Sequence, residues 1–397
     1  MEARETKKLL YSPPERMAEH KDQHYVPQVY LRRFAPDAER RSLNIIRIPQ
    51  MEVVNGVALK GQCQETHFYG KDLKLEKILG EVEGHFADLL RKFDDNDFYP
   101  ADQSPERVHL LGHTMMQWAR TKVSVARTAE AGKLPYEIVF KDYLRKNASD
   151  IPKDVVDRLE FKPTNPAALS AISVGHGAMN IIFLSDLEIK IMSAPRGSAF
   201  VTSDNPVVMT NPFFLGKWNG CVTGLNARGL VILFPLSPTR LAVMFDSLIY
   251  KVGPASKRIF EGQESDISYA NCLQYLNADK AVYFPRSANA PVLVASFRKL
   301  TDLRRNQLTR TKRYGPVSSD KGTEEIIHLS NEDICYVPPL SFLKVRDKAK
   351  HLTFGYRNEL LRRLHSEFQD AVERGSFRPN EFTEFMEIDA KRLGIPV

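Results

Sequence analysis

"GLVILFPLSPTRLAVMFDSLIYKV" occupies residues 229–252 and is the stretch that decides the fold. It holds two runs rich in apolar and β-branched residues, separated by Ser, Pro and Thr, which is typical of neighbouring strands. Further β-rich runs, punctuated by Gly, Pro and Asn, extend upstream to residue 187. The pattern predicts an antiparallel meander over residues 187–252.

Helical patterns surround this region. Residues 73–93 carry apolar side chains at a spacing of three and four, which predicts an amphipathic helix. A second helix is expected to begin at Ser104, a good N-cap, with Pro105 in its first position. Residues 135–145 and 166–183 are predicted as two more helices. The last helix ends near Gly375, a residue typical of helix C-termini.

The expected fold class is α+β, with a helical bundle packed on an antiparallel β-sheet and a small helical C-terminal appendage. Residues 1–22 are interpreted as a flexible leader and residues 23–313 as the main domain. The composition of residues 314–325, rich in Gly, Ser and charged residues, predicts a linker. Residues 326–397 then form the appendage.

Positive charge is concentrated in one segment. The chain has 56 Lys and Arg and 49 Asp and Glu, a formal net charge of +7. Residues 286–313 alone account for this excess. The segment is either a solvated surface or a face that contacts phosphates. The predicted nucleic-acid contacts in it are Arg298, Lys299, Arg304, Arg305, Arg310, Lys312 and Arg313.

The four cysteines are far apart and form no Cys-x-x-Cys pair, which argues against a zinc site and a disulfide framework. The N-terminal residues have no apolar core of the kind found in secretory signals. No apolar run is long enough to span a bilayer. We therefore expect a cytoplasmic protein with reduced thiols and no membrane partner.

The segment "HYVPQVYLRRFA", residues 24–35, is the first candidate site. Pro27 restricts the preceding residue to extended conformations. His24, Gln28 and Arg32 recur every four residues, so a helical turn after Pro27 would place Gln28 and Arg32 on one face. An imidazole, an amide and a guanidinium together bind phosphate or carboxylate. The alternative is a packed segment whose polar groups cap nearby loops.

Two further candidates lie downstream. Gln117 and Arg120 share a polar stripe on the helix that begins at Ser104. Asp204 and Asn205 follow a predicted strand, where binding residues often occur. Asp204 is expected either to ligate Mg²⁺ or to act as a general base, although a simple Asx-turn would also explain this residue.

Several of these segments resemble a widespread prokaryotic family of unknown function, domain-of-unknown-function family 4238. The similarity begins with the HYVPQ-x-YLRRF motif and continues, in order, to about residue 285. It includes Glu76 and Glu83, "QWART" at 117–121, "TSDNP" at 202–206, "FPLSP" at 234–238 and "LNADKAVYFP" at 276–285. The resemblance implies no established activity. It implies that the recurrent polar positions of the family correspond to His24, Gln28, Arg32, Gln117, Arg120, Asp204 and Asn205. Our hypothesis is that these residues, from three separate elements, converge in one pocket.

Three functional hypotheses follow. The first is a metal-dependent phosphodiesterase or nuclease in which His24 acts as general base, Asp204 holds Mg²⁺ or Mn²⁺, and Arg32 and Arg120 stabilise phosphate charge. Gln28, Gln117 and Asn205 would then contact the substrate. The second is a non-catalytic protein that binds nucleic acid or a nucleotide. The third is a structural or assembly protein in which the HYVPQ segment is a buried clasp.

Overall fold

A computed structural model describes residues 22–95, 97–148, 150–162, 165–304, 309–319 and 322–378, together with positions 381, 384, 385 and 388. The predicted leader therefore lies outside the described residues, apart from its last position. The helices are α1 (Gln28–Leu31), α2 (Lys74–Lys92), α3 (Pro105–Ala119), α4 (Lys122–Asn147), α5 (Lys153–Arg158), α6 (Pro166–Met179), α7 (Glu264–Asn277), α8 (Ala290–Arg298) and α9 (Glu359–Glu373).

The first strands are β1 (Asp22–His24), β2 (Ser42–Arg47), β3 (Glu52–Ala58), β4 (Gln64–Thr66), β5 (Glu188–Ser193), β6 (Thr202–Ser203), β7 (Val208–Thr210) and β8 (Val231–Ser237). The remaining strands are β9 (Arg240–Phe245), β10 (Tyr250–Val252), β11 (Ile259–Glu261), β12 (Ala281–Phe284), β13 (Thr309–Ser319), β14 (Gly322–Asn331) and β15 (Leu343–Val345). Helices together with several antiparallel sheets confirm the α+β fold class.

The central sheet has the strand order β11-β5-β9-β8-β7. Its two middle strands, β8 and β9, pair antiparallel and are buried along their whole length. Alternate residues serve two different cores: Ile232 and Phe234 face the core shared with the helices, whereas Val231 and Leu233 face a second core. Burial on both faces explains why this segment reads as a continuous apolar run.

Two details differ from a simple meander. Strand β11 pairs with β5 in parallel, so the central sheet is mixed. The short strand β6 belongs to a second sheet, β3-β2-β12-β6, where it pairs with β12 rather than with its neighbours in sequence. The "TSDNP" segment therefore faces β12 and the end of α7, contacts that no local sequence pattern reveals.

Helices α2, α3 and α6 form a layer against the central sheet. The Ser104 side chain accepts a hydrogen bond from the Arg107 backbone N–H, which confirms the predicted N-cap. Helix α4 begins at Lys122 instead of Pro135, because the Thr121 side chain caps it and the proline lies inside the helix. At Gly177, α3 and α6 approach so closely that a Cβ would lie 2.5 Å from the Cβ of Ala119.

The C-terminal region is joined to the main core more closely than an appendage would be. Strand β15 pairs with β10, and Leu340 and Phe342 are buried in the second core. Residues 314–319 and 322–325, which the sequence predicts as parts of a linker, lie in β13 and β14. These two strands pair antiparallel. No helix among the described residues is long and apolar enough to cross a membrane.

Candidate functional site

The aromatic residues of the HYVPQ segment anchor it in the core. Pro27 follows β1 and precedes the single turn α1, so the chain turns at this point as the sequence predicts. The hydroxyl of Tyr30, which is fully buried, lies 2.7 Å from Thr202 Oγ1 and donates to the Pro235 carbonyl at 2.7 Å. The opening segment is therefore fixed to the strands of both larger sheets.

His24, Gln28 and Arg32 form a row on the outer side of this segment. His24 Nε2 lies 3.1 Å from the Lys60 carbonyl and 3.3 Å from Gln28 Nε2. The Gln28 Oε1 accepts a hydrogen bond from Arg32 at 3.3 Å. Partial burial lowers the pKa of His24, so its ring is neutral at pH 7. The structure thus brings these three predicted residues together.

Arg120 is a buried clamp. Its side chain is 2% exposed. Its Nε donates to the Tyr69 hydroxyl at 2.9 Å, one terminal nitrogen donates to Glu83 at 2.6 Å, and the other donates to the His24 carbonyl at 2.6 Å. All three nitrogens are therefore engaged within the protein, which argues against a direct contact of Arg120 with substrate phosphate.

Two buried glutamine side chains, those of Gln117 and Gln23, also donate hydrogen bonds to backbone carbonyls. Gln117 Nε2 donates to the Tyr25 carbonyl at 3.2 Å. Gln23, which no sequence pattern singled out, both donates to and accepts from backbone groups through its side-chain amide. Its Nε2 donates to the Gly70 carbonyl at 2.9 Å, and its Oε1 accepts from the Tyr69 backbone N–H at 2.6 Å. This role depends on a contact with residues 69 and 70, which are distant in sequence, and a single Gln gives no local sequence pattern that predicts it.

Asp204 does not have the environment of a metal ligand. Its carboxylate, on a residue 5% exposed, accepts hydrogen bonds from the backbone N–H groups of residues 279, 280 and 281 at 2.7 to 3.1 Å. Burial raises its pKa to about 6. Both oxygens stabilise the turn between α7 and β12, so the geometry argues against the catalytic and metal-binding roles expected for Asp204. No cluster of three metal-ligating side chains occurs within the described part of the chain.

Asn205 completes a second structural junction. Its Oδ1 accepts from the Thr121 hydroxyl at 3.2 Å, and its Nδ2 donates to the Asn277 carbonyl at 2.8 Å. Thr121 directly follows Arg120, so the three predicted polar segments do meet in space. They meet in a buried hydrogen-bonded network. Only the His24, Gln28 and Arg32 row remains open to solvent.

A cavity with a volume of about 1030 Å³ lies next to this network. Loop residues 65–72 and the starts of α2, α4 and α6 line it, and Tyr69 and Lys122 connect it to the clamp. None of the seven predicted polar residues lines this cavity. No sequence motif marks this cavity, because its walls come from four segments, namely the loop and the starts of α2, α4 and α6.

The basic segment separates into two groups. Arg304 donates hydrogen bonds to the carbonyls of Tyr275, Ala278 and Asp279. It thereby supplies donors to free carbonyl groups at the C-terminal end of α7. Its predicted contact with nucleic acid is therefore not supported. Arg298 and Lys299 are exposed at the end of α8. The other predicted contacts either lie in β13 or fall outside the described residues: Arg310, Lys312 and Arg313 are in β13, and Arg305 is not described.

A neutral histidine is enclosed beside the site. The ring of His113, 2% exposed, stacks on Phe86 with centroids 3.2 Å apart, and Phe234 lies 6.2 Å away. Neither ring nitrogen has a hydrogen-bond partner among the described residues. Burial lowers the pKa of His113 well below its usual value.

We expect His113→Leu to reduce the acid sensitivity of the fold. Below pH 6.5 the unfolded chain binds a proton at His113 that the folded chain excludes, so wild-type stability falls as the pH falls. At pH 5 this difference is worth up to about 2 kcal/mol. Urea unfolding of both proteins at pH 8 and pH 5 measures it. The control is His351→Leu, which removes an exposed ring. An equal pH dependence in wild type and His113→Leu would contradict the expectation.

Comparison with known proteins places the chain in a family. No curated protein and no solved structure matches it. One family model does, and its match begins at β1, passes through the clamp and the Asp204 turn, and ends after β12. All the residues of the hydrogen-bonded network lie within it. The model is that of a protein of unknown function, DUF4238, and because it matches residues 22–288, more than half of the sequence, the chain belongs to this family.

Proposed function

We propose that the protein cleaves phosphodiester bonds in nucleic acid or nucleotides at the surface formed by His24, Gln28 and Arg32. The observation that carries the proposal is the geometry of the row, in which the His24 imidazole contacts the Lys60 carbonyl through one ring nitrogen and lies in line with Gln28 and the exposed Arg32 guanidinium. Burial lowers the pKa of His24, which favours the neutral ring. A neutral imidazole accepts a proton, and a guanidinium binds phosphate oxygens.

The hydrogen bonds define what each group does. When Nε2 of His24 donates to the Lys60 carbonyl, Nδ1 is the basic nitrogen and accepts a proton from the attacking water or hydroxyl. Arg32 binds the phosphate and offsets the charge that develops on it. Gln28 accepts a hydrogen bond from Arg32 and so positions the guanidinium, and with this tautomer its amide contacts the His24 ring without a hydrogen bond to it. The Arg120 clamp holds the His24 backbone and so positions the ring.

The test compares wild type with His24→Ala and Arg32→Met on RNA, single-stranded DNA, duplex DNA and cyclic nucleotides. Each reaction is run with Mg²⁺, with Mn²⁺ and with EDTA. Loss of a general base lowers the rate by about 10²- to 10⁴-fold. The matched control is His351→Ala, at an exposed histidine elsewhere. Melting temperatures are measured in parallel, so that a loss of activity can be separated from a loss of fold.

The pH profile provides a second readout. Because the pKa of His24 is lowered, kcat/KM is expected to rise with pH through a value below 6.5 and to level off above it. Product formation that is unaffected by His24→Ala would reject the proposed base. Salt-dependent binding of nucleic acid without any product would indicate a binding protein instead. A lowered melting temperature of His24→Ala, with no activity in wild type, would indicate a structural clasp.

A further inference from the structure

A second cavity lies on the opposite core of the central sheet and has a volume of about 610 Å³. It is bounded by β5, by the β10–β15 pair and by the turn that follows β10. Its inner wall is apolar and includes Phe245, Phe260 and Phe342, all buried in the second core. None of the residues assigned to the proposed phosphodiesterase site lines it.

A buried lysine lies in this apolar wall. Lys190 is 3% exposed, and its ammonium group donates one hydrogen bond, to the Pro254 carbonyl at 2.7 Å. An ammonium group has three donors, so this arrangement leaves the charge under-satisfied. Burial lowers the pKa of Lys190. Lysine is almost never fully buried unless it is paired, and the two charged side chains near Lys190 act in opposite directions, because Glu188 raises its pKa and Arg258 lowers it.

Two more lysines face each other at the mouth of the cavity. Lys251 of β10 lies directly opposite Lys344 of β15 in the antiparallel pair, and both are exposed. Side chains in this position have Cβ atoms about 5 Å apart, and like charges there destabilise the pair. Arg346 also lines the cavity and donates from Nε to the Tyr250 carbonyl. Four cationic side chains thus surround one space.

The acidic residues of the cavity are largely engaged elsewhere. Asp266 accepts hydrogen bonds from the backbone N–H of Gln263 and from the backbone and hydroxyl of Ser341. Glu188 lies 3.7 Å from Arg258. Glu261 is exposed at the margin. Outside the cavity, Asp347 is close enough for Lys251 to lower its pKa, but it pairs with Lys350 at 2.7 Å.

We propose that this cavity binds a phosphorylated small molecule, whose phosphate lies between Lys190, Lys251 and Lys344 and whose apolar body contacts the three phenylalanines. A bound phosphate would accept hydrogen bonds from the remaining donors of Lys190 and offset the repulsion between the opposed lysines. The volume suits a mononucleotide-sized ligand. Strand β15 lies beyond the family match, so the C-terminal region of this chain completes the site.

Titration calorimetry tests the proposal with inorganic pyrophosphate and AMP as probes and with citrate as a carboxylate comparison. We expect both phosphates to bind wild type. Lys190→Met and the double variant Lys251→Gln/Lys344→Gln should each weaken binding by about 10- to 100-fold, because hydrogen bonds to charged groups are lost. Lys77→Gln, at an exposed lysine of α2, is the control. His24→Ala should bind AMP normally, which separates this site from the proposed phosphodiesterase site.

Stability measurements keep the test decisive. Because Lys190 is buried, Lys190→Met is expected to melt at the wild-type temperature or above it. If Lys190→Met misfolds, Lys251→Gln/Lys344→Gln still tests the proposal, because both of its lysines are exposed. The proposal is rejected if neither phosphate binds wild type at about 1 mM. It is also rejected if the lysine variants bind as wild type does, or if citrate binds more tightly than pyrophosphate.

Discussion

Arg120→Met is expected to destabilise the protein by about 3 to 5 kcal/mol, because one partner of a buried ion pair is removed while the others stay in place. Glu83 would lose its counter-ion, and the His24 carbonyl would lose its donor. The Tyr69 hydroxyl would lose its contact with the guanidinium as well. Urea unfolding at pH 7.5, with the slope of the transition compared between proteins, measures the loss.

Two variants make this result specific. Arg32→Met removes an arginine that is exposed and makes a single 3.3 Å hydrogen bond, so we expect a change within about 0.5 kcal/mol. Arg120→Lys keeps the charge but cannot donate in three directions, so it should remain well below wild type. Arg120→Met with the stability of Arg32→Met would show that the clamp contributes little, and the assigned role of Arg120 would be wrong.

The parts of the fold that sequence predicts are those with a local physical cause. Helix α3 begins where Ser104 supplies a side-chain acceptor and Pro105 suits the first turn. Strands β8 and β9 follow from β-branched and apolar runs that can only be buried as sheet. The start of α4 was missed because its N-cap Thr121, whose side chain accepts a hydrogen bond from the Ser124 backbone N–H, is a weaker signal than Pro135.

The candidate site shows the same division. The row of His24, Gln28 and Arg32 was predicted because its members are four residues apart: the helical turns after Pro27 place Gln28 and Arg32 on one face, next to His24 at the end of β1. The partners of Asp204 are backbone groups more than seventy residues away, and no spacing reveals them. Polar residue type and position alone therefore suggested a metal ligand or a general base, whereas the carboxylate accepts three backbone hydrogen bonds in the turn between α7 and β12.

The predicted linker, residues 314–325, overlaps strands β13 and β14 for a related reason. Gly, Ser and charged residues are depleted in buried strands but are compatible with a two-stranded hairpin such as β13–β14. The C-terminal appendage was likewise inferred from helix α9 by itself. Apolar packing and one buried arginine join α9 to the family region, and that arginine carries the second large prediction.

Arg357 fixes the C-terminal region to the matched part of the chain. Its side chain is 2% exposed and pairs with Asp186 at 2.8 Å. Its guanidinium also donates to the carbonyls of Phe183, Leu225 and Ala227. All four partners belong to the family region, whereas Arg357 immediately precedes the N-cap of α9. Behind it, Leu364 and Phe368 of α9 are buried with Phe183.

We expect Arg357→Met to cost about 3 kcal/mol and to release α9 before the rest of the chain unfolds, since a partly buried carboxylate and three carbonyls lose their donor. Hydrogen exchange should then accelerate in α9 while β8 and β9 stay protected, because the central sheet does not depend on this contact. Arg363→Met, at an exposed arginine of α9, is the matched control and should exchange like wild type. If α9 and the central sheet lose protection together, the C-terminal region is part of one cooperative unit. In that case the cavity that contains Lys190, Lys251 and Lys344 unfolds together with the surface formed by His24, Gln28 and Arg32. Arg357→Met would then lower the stability of both.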